Sequence, residues 1–183
     1  MRRRWERQNP EDNRAGWRES CEAVICQHYQ SIYRFMAYLT GDSSLAEDLT
    51  QETFVSAWAN IGRYRWRASL KTWLHKIAYN KFVDSKRKLE RQSALINELR
   101  QQNYDVPETL NPLYQVTVDE HIGFLCEAIQ DLEWSDYIVI VLHYIQELSF
   151  REMAKVLDEP VGTTKWRTSQ ALKRLKASLT GRV

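Results

Sequence analysis

The fold is decided by the stretch SFREMAKVLDEPVGTTKWRTSQALKRL, residues 149–175. Ser149 can cap a helix and Glu152, three residues later, can accept from the cap's own amide, so a capping box precedes the apolar positions that follow. Pro160 ends this helix, because proline lacks a backbone donor and disfavours helical geometry at the residue before it, and the same proline is suited to open a second helix. The stretch therefore predicts a helix-turn-helix.

The second helix of this pair has two different faces. Apolar or small residues recur at three- and four-residue steps and are predicted to face inward: Val161, Thr164, Thr168, Ala171, Leu172 and Leu175. The opposite face carries donor-rich side chains suited to phosphates and base edges: Thr163, Lys165, Trp166, Arg167, Gln170, Lys173 and Arg174. This pattern favours nucleic-acid binding, and its alternative is a solvated basic helix in an ordinary bundle.

Composition indicates a helical globular protein. Among 183 residues, 43% are hydrophobic and 27% charged, and only 6 Gly and 4 Pro are present, which suits helices with short connections. Three cysteines form no CxxC pair, and the four histidines have no carboxylate or cysteine at ligand spacing, so we expect no metal, no cofactor and no enzymatic activity. The longest apolar run, Tyr137 to Leu142, is too short to span a bilayer, so we expect a cytoplasmic protein without membrane insertion.

Charge is distributed in blocks along the chain. Residues 61–95 contain ten basic and two acidic residues, and residues 151–183 contain eight basic and three acidic ones. Between them, residues 96–150 contain one basic and ten acidic residues. Two basic blocks separated by an acidic stretch are typical of two separate DNA-contacting surfaces, although alternating solvated charge is the simpler alternative.

The first half of the chain predicts two helices before the basic block. Residues 1–20 lack periodicity and are interpreted as a flexible arm. A helix from about Cys21 to Thr40 should end at Gly41, and a second capping box, Ser44 with Glu47, should start the next helix. Its buried stripe is predicted to consist of Leu45, Leu49, Val55 and Trp58, with Phe54 alongside. Its polar face is acidic and could attract a basic protein surface.

The basic block IGRYRWRASLKTWLHKIAYNKFVDSKRK, residues 61–88, interleaves cations with aromatic residues. Cations hold phosphates and aromatic faces accept unstacked bases, so this mixture suits single-stranded or locally melted nucleic acid. Trp73 lies on the helical stripe of apolar residues and is predicted to belong to the core. Trp66 precedes that helix and is free of this constraint.

Three segments together resemble bacterial RNA polymerase sigma factors of the extracytoplasmic function (ECF) type. AEDLTQETF at 46–54, followed by Ala57-Trp58, is similar to the region 2 helix that docks on the polymerase clamp. TWLHKIAYN at 72–80, followed by Asp84 and Lys86-Arg87-Lys88, resembles the part of region 2 that melts and recognises the −10 element. The helix-turn-helix, with residues 132–148 before it, is similar to region 4, which recognises the −35 element.

The resemblance implies a role for each matched position. Core polymerase would be bound by Asp48, Leu49, Gln51, Glu52 and Phe54. The −10 element and its melted strand would be contacted by Arg65, Trp66, Lys71, Lys76, Asn80, Lys81, Lys86 and Arg87. The −35 element would be contacted by Thr163, Lys165, Trp166, Arg167, Gln170, Lys173 and Arg174. Core RNA polymerase and promoter DNA are the implied partners, and an anti-sigma factor is a further partner that the sequence leaves open.

The predicted architecture is all-α, with two helical domains joined by a flexible linker. The divisions are an arm at 1–20, region 2 at 21–95, a linker at 96–118 that begins with a helical tail to about residue 100, and region 4 at 119–183. Tyr137 to Leu142 has the propensity of a strand, but Ser135 is a plausible cap and the resemblance makes the segment a helix running to Ile145. Glu147 and Asp158 occupy turn positions where the family usually has glycine.

Two other functions remain open on the sequence. A stand-alone helix-turn-helix regulator would bind its operator without polymerase, and it leaves the first ninety or so residues unexplained. A helical interaction protein that keeps the sigma shape but sequesters a partner is the other. Its best support is Trp166 and Thr168, where the family usually has a small polar residue and a leucine.

Overall fold

The computed structural model describes residues 27–64, 68–99, 129 and 132–180, without the side chains of residues 63 and 93–99. The first domain contains α1 (Tyr29–Thr40), α2 (Ser43–Asn60), a short 3-10 helix (Ile61–Arg63) and α3 (Leu70–Leu99). The second contains α4 (Trp134–Ile140), a π-helical turn (Val141–Ile145), α5 (Phe150–Leu157) and α6 (Val161–Thr180). The all-α prediction is confirmed for these ranges, and the predicted arm lies outside them.

The turn between α1 and α2 explains where both helices end and begin. Gly41 adopts a left-handed conformation with φ 68°, and its amide donates to the Ala37 carbonyl at 3.1 Å, so the predicted stop of α1 is confirmed. The predicted Ser44–Glu47 capping box is wrong. Asp42 caps α2 instead, because its Oδ1 accepts from the amides of Ser44 and Leu45 at 2.8 and 3.1 Å.

The buried face of α2 differs from the predicted stripe. Leu49 is buried as expected, but the exposed fractions of Leu45, Trp58 and Val55 are 37%, 41% and 70%. Small residues and threonines face the core in their place: Ala46, Thr50, Thr53 and Ala57. The threonines can be buried because their hydroxyls donate to carbonyls one turn earlier, which leaves no unpaired donor.

Helix α3 confirms the interpretation of Trp73. Its ring packs against Tyr64 with centroids 5.0 Å apart, and the side chain contacts the hydrophobic core. The helix reaches Leu99, in agreement with the predicted helical tail.

The segment that starts at Trp134 is helical, as the resemblance implied against its strand propensity. It continues as a π-helical turn to Ile145. Ser135 is not its cap, because α4 already begins at Trp134 and Ser135 therefore lies inside the first turn. Glu147 and Asp158 have φ of 55° and 58°, so both turn positions are left-handed.

The helix-turn-helix is formed by α5 and α6. The carboxylate of Glu152 accepts from the amide and hydroxyl of Ser149 at 3.0 and 2.8 Å, and the predicted capping box is confirmed. Four of the predicted inward residues of α6 are buried: Thr164, Thr168, Ala171 and Leu175. Leu172 is 39% exposed, so its predicted burial is wrong.

The two domains share one hydrophobic core. Phe35, Leu74 and Phe82 of the first domain and Leu142 and Met153 of the second belong to a single cluster of buried side chains. The helix-turn-helix helix α5 packs on α3, and α4 packs on α6. The second domain therefore lies directly against the basic helix of the first.

Candidate nucleic-acid interface

The outer face of α2 combines carboxylates with exposed apolar side chains. Asp48, Gln51 and Glu52 are exposed, whereas Leu49 is buried and Phe54 is half-buried against Tyr29, with ring centroids 5.4 Å apart. Val55 and Trp58 lie one and two turns further along the same side, so the face is amphipathic rather than purely acidic. This apolar component was not predicted, because the helical stripe placed both residues in the core.

The cations of α3 that were predicted to contact the −10 element are mostly engaged with other side chains. Lys76 Nζ lies 3.4 Å from Asp158 Oδ1, and Lys81 Nζ lies 3.2 Å from Glu52 Oε2. Lys86 Nζ lies 5.3 Å from the ring centroid of Trp134, within cation–π range. Lys71 is half-buried, Asn80 and Arg87 are exposed, and Arg65 and Trp66 lie outside the described residues.

The outward face of α6 is open at several of the predicted positions. Thr163, Lys165, Trp166 and Lys173 are exposed, and Gln170 is half-buried. Trp166 is 63% exposed, and the neighbouring position at Gly162 is open space, so the N-terminal part of α6 is sterically accessible. A helix end of this kind, with cations and an aromatic ring, fits the major groove of a duplex.

Two arginines of the predicted −35 set form ion pairs and hydrogen bonds within the second domain. Arg167 donates to Glu159 Oε2 at 2.6 Å and to the Ser135 carbonyl at 2.5 Å. Arg174 pairs with Asp136, whose side chain is 5% exposed, and lies 3.9 Å from Glu133. These contacts hold α6 against α4, so both arginines fix the position of α6.

A buried polar joint that was not predicted from the sequence connects the two domains. Gln146 of the second domain has its Oε1 3.1 Å from Ser31 Oγ of α1 and 3.1 Å from His75 Nε2 of α3. His75 is fully buried, and its Nδ1 lies 2.8 Å from the Lys71 carbonyl, which can only accept. Burial lowers the pKa of His75 more than its hydrogen bonds raise it, which favours the neutral ring with its proton on Nδ1. Nε2 must then accept, which requires the Gln146 amide to turn so that its NH2 group, rather than Oε1, faces the ring.

Glu152 is the second polar contact between the domains. Besides capping α5, its Oε1 accepts from Thr72 Oγ1 at 2.9 Å and Ser69 Oγ at 3.1 Å, both at the start of α3. Partial burial would raise its pKa, but the hydrogen bonds from Ser149, Thr72 and Ser69 outweigh that and lower the pKa to about 2. A carboxylate that caps one domain and accepts from the other therefore stays charged.

No sequence signal links Gln146 to His75 or Glu152 to Thr72, because these pairs are 71 and 80 residues apart and depend on tertiary packing.

Over the described ranges, the structure brings no three His, Cys, Asp or Glu side chains into a group that could hold a metal ion. Each helix in those ranges is too short or too polar to form a membrane span.

Two models of known protein families match this chain, one in each domain. The model of Sigma-70 region 2 matches residues 24–92, and that of Sigma-70 region 4 matches residues 128–177. They follow the chain in the order expected from the resemblance.

Individual relatives align with most of the chain. It is similar to the ECF RNA polymerase sigma factor SigM of Bacillus subtilis strain 168, with 30% identity over 85% of this chain and 93% of that protein. It is also similar to the RNA polymerase sigma factor YlaC of the same strain, with 32% identity over 86% of this chain and 92% of that protein.

Two solved structures share the fold. The sigma factor RpoE from Bartonella quintana, solved in complex with the anti-sigma factor NepR, has a TM-score of 0.71 at 23% identity and covers 88% of this chain and 98% of its own. CnrH, solved in complex with the cytosolic domain of CnrY, has a TM-score of 0.62 at 20% identity, with 88% of both chains covered.

Proposed function

Since this chain belongs to the ECF sigma factors of the sigma-70 family, which direct RNA polymerase to promoters, we propose that its separate surfaces divide promoter recognition between them. The observation that carries the proposal is the open cationic face of α6 in the domain matched by region 4, with a second basic helix in the domain matched by region 2. A stand-alone regulator is not favoured, because both sigma regions are present in order.

The amphipathic face of α2 is the proposed contact with core polymerase. Asp48, Gln51 and Glu52 supply polar contacts, and exposed Val55 and Trp58 supply apolar area. This combination fits a protein partner, because interfaces combine an apolar centre with a polar rim. Leu49 and Phe54, predicted from the resemblance to bind directly, support this face from below.

The proposed DNA contacts divide between α3 and α6. The −10 element and its melted strand are assigned to the α3 side: Arg65, Trp66, Lys71, Lys76, Asn80, Lys81, Lys86 and Arg87. On α6, Lys165 and Lys173 are assigned to phosphates of the −35 element, and Thr163, Trp166 and Gln170 to its base edges. Arg167 and Arg174 are assigned to positioning, because both are paired inside their own domain.

The protein acts through polymerase, and we assign it no catalysis of its own and a place in the cytoplasm beside that enzyme. In this proposal, region 2 extends over residues 21–95 and region 4 over residues 119–183. Because RpoE was solved with the anti-sigma factor NepR bound, an anti-sigma factor is a proposed further partner of this chain.

Transcription in vitro tests the function directly. The purified chain is added to sigma-free core polymerase from the same organism with fragmented genomic DNA, and start sites are mapped. Discrete new starts that share an upstream pair of motifs are the expected result. Core binding without starts would favour a sequestering protein, and DNA binding without core binding would favour a stand-alone regulator.

Charge variants test the division of roles. Lys165→Ala and Lys173→Ala should each weaken promoter use and flatten its salt dependence, because each removes one phosphate contact. Lys176→Ala is the matched control, since Lys176 is exposed on the same helix but is not assigned to DNA. Equal effects of all three variants would refute the assignment on α6.

A further inference from the structure

The side chains of α6 that are assigned to base edges carry no charge, although the helix is rich in cations. Thr163, Trp166 and Gln170 follow one another at three- and four-residue steps, so they lie in one row along the helix, here called the α6 row. From Thr163 to Gln170 this row rises about 10 Å at about 1.5 Å per residue, which corresponds to about three base pairs at about 3.4 Å each. The α6 row is therefore long enough to read several neighbouring base pairs.

The cations of α6 lie beside or beyond this row. Arg167 and Arg174 are paired with carboxylates of their own domain. Successive residues of an α-helix are about 100° apart around its axis, so Lys165 faces to one side of Trp166. Lys173 lies about 10 Å beyond Trp166 along the axis, past the N-terminal part of a recognition helix that contacts base edges. The α6 row, all of it within the described residues, therefore has no charged donor of its own.

Neutral side chains of these types match the groups that an A·T pair shows in the major groove. Guanine is read mainly by Arg or Lys, whereas adenine is read by the amide of Asn or Gln, and thymine by apolar contact with its C5-methyl group. The Gln170 amide can donate to N7 of an adenine and accept from its N6 amino group. Thr163 adds a hydroxyl that either base can use. The composition of the row thus favours A·T pairs over G·C pairs.

Trp166 is the apolar member of the α6 row. Its indole is 63% exposed, and its neighbours one turn before and after are small: Gly162, where an added Cβ would meet open space, and the exposed Ser169. Among the described residues, no hydrogen bond or ring contact engages the indole. An apolar surface that stays in water in the free protein gains free energy when it is buried against another apolar group. The C5-methyl group of thymine is the apolar group that the major groove offers.

We propose that the α6 row selects an A·T-rich −35 element, in which the Trp166 indole contacts the C5-methyl group of a thymine and the Gln170 amide pairs with an adenine. This inference rests on the proposed function of α6. Trp166 and Gln170 are about 6 Å apart along the helix axis, so the two bases lie within about two base pairs of each other. Trp166 is then a residue that determines promoter specificity, and Lys165 and Lys173 hold the flanking phosphates.

A promoter library tests the base preference. Each template combines the −10 region and spacer of a mapped promoter with a randomised −35 element and a transcribed barcode, and the holoenzyme of full chain and core polymerase transcribes the pool. The wild type should enrich an A·T-rich sequence. Trp166→Ala should lose the preference for thymine at one position, and Gln170→Ala should lose the preference for adenine within about two base pairs of it.

The control variant for the library is Lys176→Ala, because Lys176 is exposed on the same helix but lies outside the α6 row. It should keep the wild-type sequence profile. A preference for guanine or cytosine at the position that Trp166→Ala alters would overturn the proposal, and so would an unaltered profile in that variant.

Removal of a single methyl group tests the contact at Trp166. Deoxyuridine in place of the identified thymine keeps the base pair and removes only the C5-methyl group, so promoter binding by the wild-type holoenzyme should fall about threefold to fivefold. The same change should leave binding by the Trp166→Ala holoenzyme unaltered, and Trp166→Phe should keep part of the wild-type sensitivity. Deoxyuridine at another thymine of the template is the DNA control. Equal losses in the wild type and Trp166→Ala would overturn the proposal.

A second measurement uses only the wild-type protein and does not depend on the folding of a variant. Cytosine replaces the identified thymine, either unmodified or as 5-methylcytosine, which restores the methyl group at the same place in the major groove. The methylated template should bind the holoenzyme more tightly than the unmodified one. Equal binding of the two templates would refute the methyl contact.

The outcome is separable from the proposed function. Discrete starts whose strength does not depend on the methyl group would refute only the inference. If the chain gives no starts, the duplex library is selected by binding to the free full chain, and the methyl substitutions are measured by fluorescence anisotropy. Methyl-dependent binding would then support the α6 row although the sigma function had failed, and methyl-independent binding would refute both.

Discussion

The α3 side of the first domain and the outward face of α6 carry similar charge but differ in availability. On α3, Lys76, Lys81 and Lys86 each contact a carboxylate or an indole. On α6, Lys165 and Lys173 are exposed, and Lys165 lies only loosely over the Phe150 ring at 5.9 Å. A basic stretch in a sequence therefore indicates where cations are, and tertiary contacts decide which of them are free to meet DNA.

The same contrast exists within α6 itself. Arg174 and Lys173 are neighbours in sequence, yet Arg174 is paired with a buried carboxylate and Lys173 is exposed. Removal of the two types of cation should affect different properties. Loss of a paired cation should lower the stability of the fold, and loss of an exposed cation should lower the affinity for DNA. Four predictions test this distinction between engaged and free groups.

Arg174→Ala should have the largest effect. It leaves the Asp136 carboxylate, 5% exposed, without its ion-pair partner, and the loss should lower the free energy of unfolding by about 2–3 kcal/mol. Chemical denaturation measures it, with Lys173→Ala as the matched control that should change stability by less than about 0.5 kcal/mol. Equal losses in the two variants would show that the Arg174 pair contributes nothing beyond surface charge.

Trp166→Ala should separate binding from stability. The indole is 63% exposed on the free face of α6, so its removal should leave the unfolding free energy within about 0.5 kcal/mol of the wild type. Affinity for a duplex carrying the mapped −35 element should fall by roughly 1–2 kcal/mol, measured by fluorescence anisotropy at fixed salt. A stability loss as large as that of Arg174→Ala would place Trp166 among the engaged groups instead.

Local sequence signals predicted much of this structure. The turns at Glu147 and Asp158 were inferred from the resemblance, and both residues are left-handed. The glycine stop at Gly41 and the Glu152 capping pair instead depend on neighbours within a few residues, and the structure confirms both. Those features need no knowledge of the tertiary fold, because their hydrogen bonds and dihedral angles are set by the local chain.

The errors arose where packing decides between two plausible local choices. In α2 both Val55 and Thr53 lie on helical stripes, and apolar character favoured Val55, but threonine can be buried when its hydroxyl bonds the preceding turn. The joint of Gln146 with His75 left no trace in the sequence, because a lone histidine and a glutamine 71 residues apart have no shared pattern. The assignments of individual residues to DNA and polymerase stay predictions.

Glu152→Gln should reveal the interdomain carboxylate through pH. The pKa of Glu152 is about 2 in the folded protein against 4.5 ordinarily, so its stabilisation is fully present above about pH 4.5 and is lost as the pH falls toward 2. The glutamine variant should be less stable by on the order of 1 kcal/mol at neutral pH, a value reduced for partial exposure, and the difference should shrink across that window. Urea denaturation at several pH values measures it. A difference that stays constant from pH 7 to pH 2.5 would mean that the charge of Glu152 does not contribute.

Val55→Ser should have the smallest effect on stability and tests whether the exposed apolar side of α2 is a binding surface. Because Val55 is 70% exposed, the unfolding free energy should change by less than about 0.5 kcal/mol. Affinity for core polymerase should nevertheless fall severalfold in a competition assay, since the apolar area that the valine would bury on binding is lost. Ala59→Ser, at another exposed position of the same helix, is the control and should leave both quantities unchanged. If Val55→Ser destabilised the fold and left polymerase binding intact, the valine would belong to the core after all, and the free apolar surface of α2 would shrink to Trp58 and Leu45.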